Sequence, residues 1–345
     1  MKLLVTGATG FVGRYTVAAA VDAGHRVRAL VRPAGTAAAL GRYESDPSVE
    51  IVRGDLRSPA GLDDAVNGVD AVVHLAAAKE GDFATQFAGT VLATENLLGA
   101  MTATGVERLV GVSTFSVYDY RAMRNGELVT EDSPIDETPA RRDEYAQTKL
   151  LQEKLYRRFG SADHVVILRP GMIYGRGNLW HALLGADIGP RFVKIGSRAV
   201  LPLTYVENCA LAFVLAAEGL ATDPSTVDGE VINIVDDDLP TQHDYAAAVE
   251  AATETPPSRS VPWPVVNTMA SLLDRGNHLF LDGRAKLPGI AIPDRLHARF
   301  KPLSYTNEKA KRLLGWTPTV GLADAIERSV GVDPALTGAP ETARG

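Results

Sequence analysis

The chain has 345 residues, 46% of them hydrophobic, and a formal net charge of -7 at pH 7. That length and composition are typical of one large or two modest globular domains and exclude a disordered chain. The negative charge argues against nucleic acid as a partner, and the apolar runs are too short for an integral membrane segment. The lone Cys209 cannot form an internal disulfide, and no apolar leader precedes the first predicted strand, so we expect a cytoplasmic location.

The first predicted element is a short strand that runs directly into a glycine-rich turn. Gly7, Gly10 and Gly13 follow the spacing G-x-x-G-x-x-G. Glycine at these positions permits an unusual backbone conformation, a close approach of the main chain to a phosphate, and tight packing of the next helix on the strand. A helix over 14–23 and a second strand over 27–31 complete a β-α-β unit, which predicts a dinucleotide-binding site.

Short apolar runs typical of buried parallel strands recur along the chain, with helical stretches between most of them. This alternation predicts an α/β fold: a doubly wound, Rossmann-type parallel sheet with a smaller C-terminal substrate-binding region. The predicted strands lie at 3–5, 27–31, 51–52, 71–74, 109–112, 165–168 and 231–234, and later helices at 206–219 and 265–274. The predicted domains are 1–170 for dinucleotide binding with later returns near 205–235, 171–332 for substrate binding, and a flexible tail at 333–345.

A phenol and an ammonium group lie four residues apart, at Tyr145 and Lys149, on one face of a predicted helix. Because a nearby cation favours the phenolate, we expect Lys149 to lower the pKa of Tyr145 from about 10 and to make the phenol usable for proton transfer. The alternative is an ordinary solvated helix face.

Two hydroxyl side chains, Ser113 and Thr114, follow the predicted fifth strand. The carboxyl ends of parallel strands border the cofactor crevice in doubly wound sheets, so these hydroxyls are expected to project into it. The alternative is a turn that Ser and Thr merely cap.

With the glycine turn, the hydroxyl cluster and the Tyr-Lys pair in this order, the sequence resembles the extended short-chain dehydrogenase/reductase family of the NAD-dependent epimerase/dehydratase superfamily. The resemblance covers nearly the whole chain. It includes four further motifs: Gly54-Asp55-Leu56, His74-Leu75-Ala76-Ala77, the run LRPGMIYG at 168–175, and the run KRLLGWTP at 311–318.

The resemblance implies a catalytic set. The family's catalytic hydroxyl precedes the Tyr of a Val-Tyr pair by four residues, which selects Thr114 here, with Ser113 as the second choice. This hydroxyl would hold the substrate oxygen near Tyr145, which donates a proton in reduction and removes one in oxidation, while hydride passes to or from the nicotinamide. Lys149 would complete the set.

The resemblance also implies how the cofactor is held. Lys149 would bind the nicotinamide ribose, Pro170 would lie near the nicotinamide ring, and Asp55 would accept a hydrogen bond from the adenine amino group. Ala76 would border the path of the dinucleotide. The cofactor-binding residues implied in this way are Gly7, Thr9, Gly10, Phe11, Val12, Asp55, Leu56, Leu75, Ala76, Ala77, Tyr145, Lys149 and Pro170.

Arg32 stands where NAD-using members usually have an acid, at the end of the second strand. A guanidinium can grip a 2'-phosphate through paired hydrogen bonds, so NADP(H) is favoured and NAD(H) stays possible. Arg14 is a candidate for a second contact with the same phosphate. The alternative is that Arg32 is simply a solvated loop residue.

Two departures argue against sugar-nucleotide substrates. Met172 stands where such enzymes usually have an Asn, and Phe115-Ser116 carries no acid beside the catalytic hydroxyl. Residues 169–171 and 205–208 instead resemble the branch of 3β-hydroxysteroid dehydrogenases, sterol dehydrogenases and dihydroflavonol-type reductases. The implied function is an NADP(H)-dependent oxidoreductase that interconverts a carbonyl and a secondary alcohol on a small or medium, largely apolar substrate.

Two other functions remain open at this point: a nucleoside-diphosphate-sugar epimerase or dehydratase, and a non-catalytic dinucleotide-sensing protein. The histidines show no metal-ligand spacing, so no metal site is predicted, and the acidic run 236–238 is interpreted as a solvated loop with an N-cap role rather than a cation site. The expected partner is a small-molecule substrate. A homodimer is possible through helices near 87–103 and 144–159.

Overall fold

The structure is a computed structural model that describes residues 1–159, 164–188, 191–196, 198–282, 284, 285, 287–331 and 336. The predicted flexible tail at 333–345 lies outside the described residues, apart from residue 336.

The described residues form strands and helices that alternate through the first half of the chain. The strands are β1 Lys2–Thr6, β2 Arg26–Val31, β3 Val49–Arg53, β4 Ala71–His74, β5 Arg108–Val112, β6 Leu128–Val129, β7 His164–Pro170, β8 Met172–Tyr174, β9 Gly185–Ile188, β10 Arg191–Ile195, β11 Leu203–Tyr205, β12 Val231–Ile234, β13 Ser258–Val261 and β14 Ser304–Tyr305. The helices are α1 Phe11–Asp22, α2 Leu62–Val66, α3 Phe83–Phe87, α4 Ala93–Thr104, α5 Glu144–Phe159, α6 Val206–Thr222, α7 Pro224–Val227, α8 Gln242–Ala252, α9 Trp263–Leu281, α10 Pro293–Phe300, α11 Glu308–Leu314 and α12 Leu322–Val330.

The central sheet has seven strands in the order β12-β7-β5-β4-β1-β2-β3, and every neighbouring pair is parallel. All seven runs that the sequence predicts as strands lie in this sheet. Connections cross from β1 outward in both directions, which is the doubly wound arrangement. The predicted α/β, Rossmann-type fold is therefore confirmed.

Two apolar layers cover the sheet because successive side chains of a strand point to opposite faces. Leu3 and Val5 belong to a core that includes residues of α1 and α6, whereas Leu4 belongs to a core that includes residues of α2, α4 and α5. Helix α5, which carries Tyr145 and Lys149, is thereby held against the sheet beside β7.

Three helices are longer than the sequence suggests. Helix α1 begins at Phe11 rather than residue 14, with Gly10 as its N-cap, and α6 continues to Thr222. Helix α9 was predicted at 265–274 but extends over Trp263–Leu281. Its start is favoured by proline at the second helical position, and Asp282 ends it in a left-handed conformation.

The second half of the chain adds smaller sheets beside the main one: β13-β10-β9, β11-β8 and β14-β6. Strand β12 and helix α6 return to the central sheet and its core. The proposed division at 170/171 stays a prediction. Within the described part of the chain, no helix combines the length and the apolarity that crossing a bilayer requires.

The acidic run 236–238 is a solvated loop only in part, since Asp237 and Asp238 are exposed as the sequence suggests, whereas Asp236 is not. Asp236 is buried and accepts hydrogen bonds from Tyr205 N at 2.7 Å and Asn208 Nδ2 at 2.9 Å. Burial raises the pKa of Asp236 to about 7. Asp238 accepts from the backbone of Leu322 at the start of α12, so the run ties the end of β12 to neighbouring elements.

Candidate active site

The glycine turn is built for close backbone packing. Gly7 has a φ of 66°, and a Cβ there would lie 3.1 Å from the backbone nitrogen of Ala76. A Cβ on Gly13 would lie 2.0 Å from the Gly7 oxygen, so only glycine fits. No side chain caps the start of α1 at Gly10, which leaves the first-turn N–H groups open toward the crevice. These features fit a dinucleotide pyrophosphate, and Thr9, Phe11 and Val12, whose side chains are partly exposed, share this turn.

The segment after β4 lies against the glycine turn. Leu75, Ala76 and Ala77 are partly exposed there, and Ala76 N donates to Thr6 Oγ1 at 3.3 Å. His74 is fully buried between Thr6 and Thr94, with nitrogen to oxygen distances of 2.7 and 2.9 Å. Burial lowers the pKa of His74 to about 3, so this histidine is a neutral structural link.

The two hydroxyls after β5 have different surroundings. Ser113 is buried, and its Oγ donates to Glu153 Oε2 at 2.6 Å. Thr114 Oγ1 accepts from Ser116 N at 3.2 Å, and its hydroxyl lies near enough to the phenol of Tyr145 to lower the pKa of that phenol. The structure therefore brings Thr114, rather than Ser113, to the tyrosine.

Tyr145 lies in the first turn of α5 and is partly exposed, as expected for a group that borders a cleft. Burial raises its pKa to about 12, and the nearby hydroxyl of Thr114 acts in the opposite direction. The expectation that Lys149 lowers this pKa is wrong for this structure. The ammonium of Lys149 is turned toward other partners, and desolvation of the phenol dominates.

Lys149 is buried, and its Nζ donates to Val112 O at 2.5 Å and to Gln152 Oε1. Burial lowers its pKa to about 7, Lys79 lowers it further, and Glu153 opposes both. Gln152 continues the chain of hydrogen bonds to Thr94 Oγ1 at 2.8 Å.

The far end of the crevice carries exposed charges. Arg32 directly follows β2 and is exposed, and Asp55 follows β3 beside the buried Leu56. Arg57 donates to both carboxylate oxygens of Asp55 and lowers the pKa of that carboxyl. Both oxygens of this carboxylate, which the resemblance assigns to adenine recognition, thus already accept a hydrogen bond.

The carboxyl ends of β1, β2, β4, β5 and β7 meet at one edge of the sheet, because the strands are parallel and adjacent. This edge collects the glycine turn, Arg32, the 75–77 segment, Thr114 and the buried Pro170 at the end of β7. It is the edge at which doubly wound sheets bind ligands.

Sequence reasoning missed three polar residues of this region. Glu153 lies four residues after Lys149 on the same helix face, a spacing that offered a signal, and Gln152 had none. Lys79 lines a cavity of about 390 Å³ with Arg14 and Arg176, beside Phe11. Among the described residues, no group of three metal-ligating side chains is assembled.

Comparisons with known proteins agree with this arrangement. Residues 3–234 match the NAD dependent epimerase/dehydratase family. The 3 beta-hydroxysteroid dehydrogenase/Delta 5-->4-isomerase of Mycobacterium tuberculosis is 29% identical over 94% of this chain and 88% of its own length. The human sterol-4-alpha-carboxylate 3-dehydrogenase, decarboxylating, is 27% identical over 95% of this chain and 87% of its own length.

Solved structures show the same fold. A UDP-glucose-4-epimerase from Stenotrophomonas maltophila, solved with bound NAD and formylated UDP-arabinopyranose, superimposes with a TM-score of 0.72 at 21% identity, over 95% of this chain and 96% of that one. The family match spans more than half of the chain and includes every strand of the central sheet. The chain therefore belongs to the NAD dependent epimerase/dehydratase family and is an NAD(P)-dependent enzyme of the extended short-chain dehydrogenase/reductase type.

Proposed function

We propose that the protein is an NADP(H)-dependent oxidoreductase that interconverts a carbonyl and a secondary alcohol on a small or medium, largely apolar substrate. The observation that carries this proposal is that the hydroxyl of Thr114 lies near enough to the phenol of Tyr145 to lower its pKa, one helical turn before Lys149, at the ligand-binding edge of the sheet. A carbonyl oxygen placed between the two hydroxyls can accept a hydrogen bond from each.

Tyr145 is the proton-transfer group in this proposal. With a pKa of about 12 the phenol is protonated at neutral pH, so it is ready to donate a proton to the oxygen of a ketone under reduction. In the reverse direction the phenol oxygen of Tyr145 removes the proton of the alcohol. For this step the pKa of Tyr145 has to fall when the crevice is filled. Thr114 orients the substrate oxygen and favours the phenolate, because its hydroxyl lowers the pKa of the nearby phenol.

Lys149 and Pro170 would hold the nicotinamide end of the cofactor, and the turn at 7–13 would hold the pyrophosphate. When bound, the nicotinamide supplies or accepts the hydride. To bind the ribose hydroxyls, Lys149 would have to give up its hydrogen bonds to Val112 and Gln152. With a pKa of about 7, it can also be neutral or charged near physiological pH.

The choice of NADP(H) is supported by the charges at the adenosine end. Arg32 and Arg53 are exposed there, and no described carboxylate forms an ion pair with either guanidinium. Arg53 instead donates to the backbone oxygen of Arg32 at 3.1 Å. Two exposed guanidinium groups without an acid at the end of β2 suit a 2'-phosphate, whereas NAD(H) needs a ribose acceptor there. NAD(H) is the alternative cofactor.

An apolar substrate is supported by the two relatives, whose names refer to hydroxysteroids and sterols. Met172 follows β7 at the position where sugar-nucleotide enzymes usually have Asn, and Phe115, next to Thr114, packs against aromatic rings. The competing function is a nucleoside-diphosphate-sugar epimerase or dehydratase, which the ligand of the compared epimerase structure favours. The presence of both Tyr145 and Lys149 speaks against a sensor without activity.

The test follows the absorbance of reduced nicotinamide with the purified protein, NADPH and NADH in parallel, and a panel of ketones that includes oxosteroids. We expect turnover that favours NADPH and falls by about 10²–10⁴-fold in Tyr145→Phe. Tyr43→Phe is the matched control, because that phenol donates to Asp22 at 2.9 Å, at the end of α1. Tight cofactor binding, together with conversion of a nucleoside-diphosphate sugar without net oxidation or reduction of the nicotinamide, would instead establish the epimerase function.

A further inference from the structure

A buried ion pair joins helix α5, which carries Tyr145 and Lys149, to strand β7. Glu153 is two turns after Tyr145 on α5, and Arg169 is the residue before Pro170 on β7. Both are buried, with exposures of 5% and 1%. Arg169 Nε donates to Glu153 Oε2 at 3.1 Å, and its Nη2 donates to Oε1, so the contact is bidentate.

The pair has further partners in the loops that border the crevice. Ser113 Oγ donates to Glu153 Oε2 at 2.6 Å, and Arg169 Nη1 donates to the phenol oxygen of Tyr118 at 3.2 Å. Tyr118 in turn donates to Asn233 Oδ1 at 2.7 Å, in strand β12. One ion pair thus joins α5, the segment after β5, and two strands of the sheet.

A buried ion pair is poor evidence for stability, because two charges must leave water and an apolar pair of equal volume often stabilises as well. Its geometry, however, fixes how the Ser113-Thr114 segment is oriented relative to α5. The carboxylate holds the hydroxyl of Ser113 inward. Because side chains of successive residues in an extended segment point to opposite sides, the hydroxyl of Thr114 is then directed outward, toward Tyr145.

We propose that Glu153 and Arg169 are positioning residues that lock the Ser113-Thr114 segment to α5, so that the hydroxyls of Thr114 and Tyr145 converge on one substrate oxygen. The inference rests on the proposed function, since it concerns the same site. Neither residue contacts the substrate. Both act through Ser113 and through the placement of the helix.

The same carboxylate acts on Lys149, one turn earlier on α5. Glu153 raises the pKa of Lys149 against the effects of burial and of Lys79. Removing its charge is therefore expected to lower the pKa of Lys149, in addition to releasing Ser113. This electrostatic effect gives a measurement that does not depend on turnover.

The experiment compares Glu153→Gln with Arg157→Gln as the matched control. Arg157 Nη2 donates to Glu153 Oε1 at 2.9 Å from the solvent side, with half of its side chain exposed, so the control removes an exposed partner of the same carboxylate. Two readouts are taken: the split between kcat and KM, and the titration of Lys149 followed by NMR of ¹³Cε-labelled lysine, assigned with Lys149→Met.

We expect Glu153→Gln to lower kcat by about ten-fold or more, because a small misplacement of reacting groups costs this much, while KM changes by less than about two-fold. The pKa of Lys149 should fall in the same variant. Arg157→Gln should leave kcat within about two-fold and the titration unchanged. A folded Glu153→Gln protein with wild-type kcat and an unshifted Lys149 would overturn the proposal, and so would an equal loss of kcat in both variants.

Glu153→Gln leaves Arg169 buried without a counter-charge, so its folding is checked first by circular dichroism. If it fails to fold, the double variant Glu153→Gln/Arg169→Gln removes both charges and retains hydrogen-bonding groups. Slow turnover of the folded double variant supports the proposal, and wild-type kcat refutes it. If the wild type reduces no ketone at all, the proposed function fails, but the Lys149 titration still decides whether Glu153 acts on the site.

Discussion

The two ends of the cofactor crevice differ in how their polar groups are held. At the catalytic end, Ser113, Thr114 and Lys149 are buried and have fixed hydrogen-bond partners. At the adenosine end, Arg32 and Arg57 are exposed, and the ion pair between Asp55 and Arg57 lies at the surface. The difference teaches where substitutions matter. Groups that are desolvated and oriented control the chemistry, whereas exposed charges adjust affinity and are screened by salt.

The largest expected effect separates the two hydroxyls of the catalytic end. Thr114→Ala removes the hydroxyl that is proposed to hold the substrate oxygen beside Tyr145, and we expect kcat/KM to fall by about 10²-fold or more. Ser113→Ala removes only the contact with Glu153, so its loss should stay at or below about ten-fold. Steady-state kinetics with the best ketone measure both. A larger loss in Ser113→Ala would reassign the catalytic hydroxyl to Ser113.

Burial of Lys149 makes the stability of the catalytic end depend on pH. The ordinary pKa of a lysine side chain is 10.5, whereas that of Lys149 in the folded protein is about 7, so between these values the unfolded chain holds more protons and stability rises with pH. The free-energy cost of burying the charged ammonium of Lys149 is full below pH 7 and decreases toward pH 10.5. Relative to Lys149→Met, the wild type should therefore gain about 2–3 kcal/mol between pH 6 and pH 9.

Urea unfolding of both proteins at several pH values measures this difference. Lys154→Met is the control, because that lysine lies on the same helix but is exposed. A stability difference that stays constant as the pH rises would show that the ammonium is solvated in the folded protein, and a wild type that loses stability relative to Lys149→Met would show that the ammonium is paired.

The contrast also explains what the sequence revealed. The seven strands and the glycine turn were predictable because apolar runs and glycine spacing are local patterns. The role proposed for Thr114 came from family resemblance, whereas that of Tyr145 and Lys149 was proposed from their spacing as well. The direction of the Tyr145 pKa was predicted wrongly, because it depends on burial and on where Lys149 points, and neither is visible in a spacing of four residues.

The ion pair of Glu153 and Arg169 was missed for a related reason. A charged residue in a helix usually belongs to a solvated face, and its partner lies sixteen residues away on a strand. Asp236 shows the same effect, since three successive acids suggest a surface loop while the first of them is buried by hydrogen bonds to Tyr205 and Asn208. Buried polar pairs form only when the sheet brings distant segments together.

A moderate effect is expected from Arg32 at the adenosine end. Arg32→Gln removes the guanidinium proposed for the 2'-phosphate, so kcat/KM with NADPH should fall by about 10–100-fold while the value with NADH changes by less than about two-fold. Arg26→Gln is the control, because Arg26 is equally exposed but lies at the opposite end of β2. An equal loss with both cofactors would mean that Arg32 contacts a part they share, and the preference for NADP(H) would lose its support.

The smallest effect is expected from the exposed pair of Asp55 and Arg57. Arg57→Gln should leave the free energy of unfolding indistinguishable from that of the wild type, because a surface ion pair in high dielectric contributes little and costs side-chain entropy. Asp55→Asn should instead weaken cofactor binding by about ten-fold, measured by titration calorimetry, if the carboxylate serves adenine. If Arg57→Gln weakens cofactor binding as much as Asp55→Asn does, the pair acts as one preorganised unit. The adenosine end would then depend on fixed hydrogen-bond partners, as the catalytic end does.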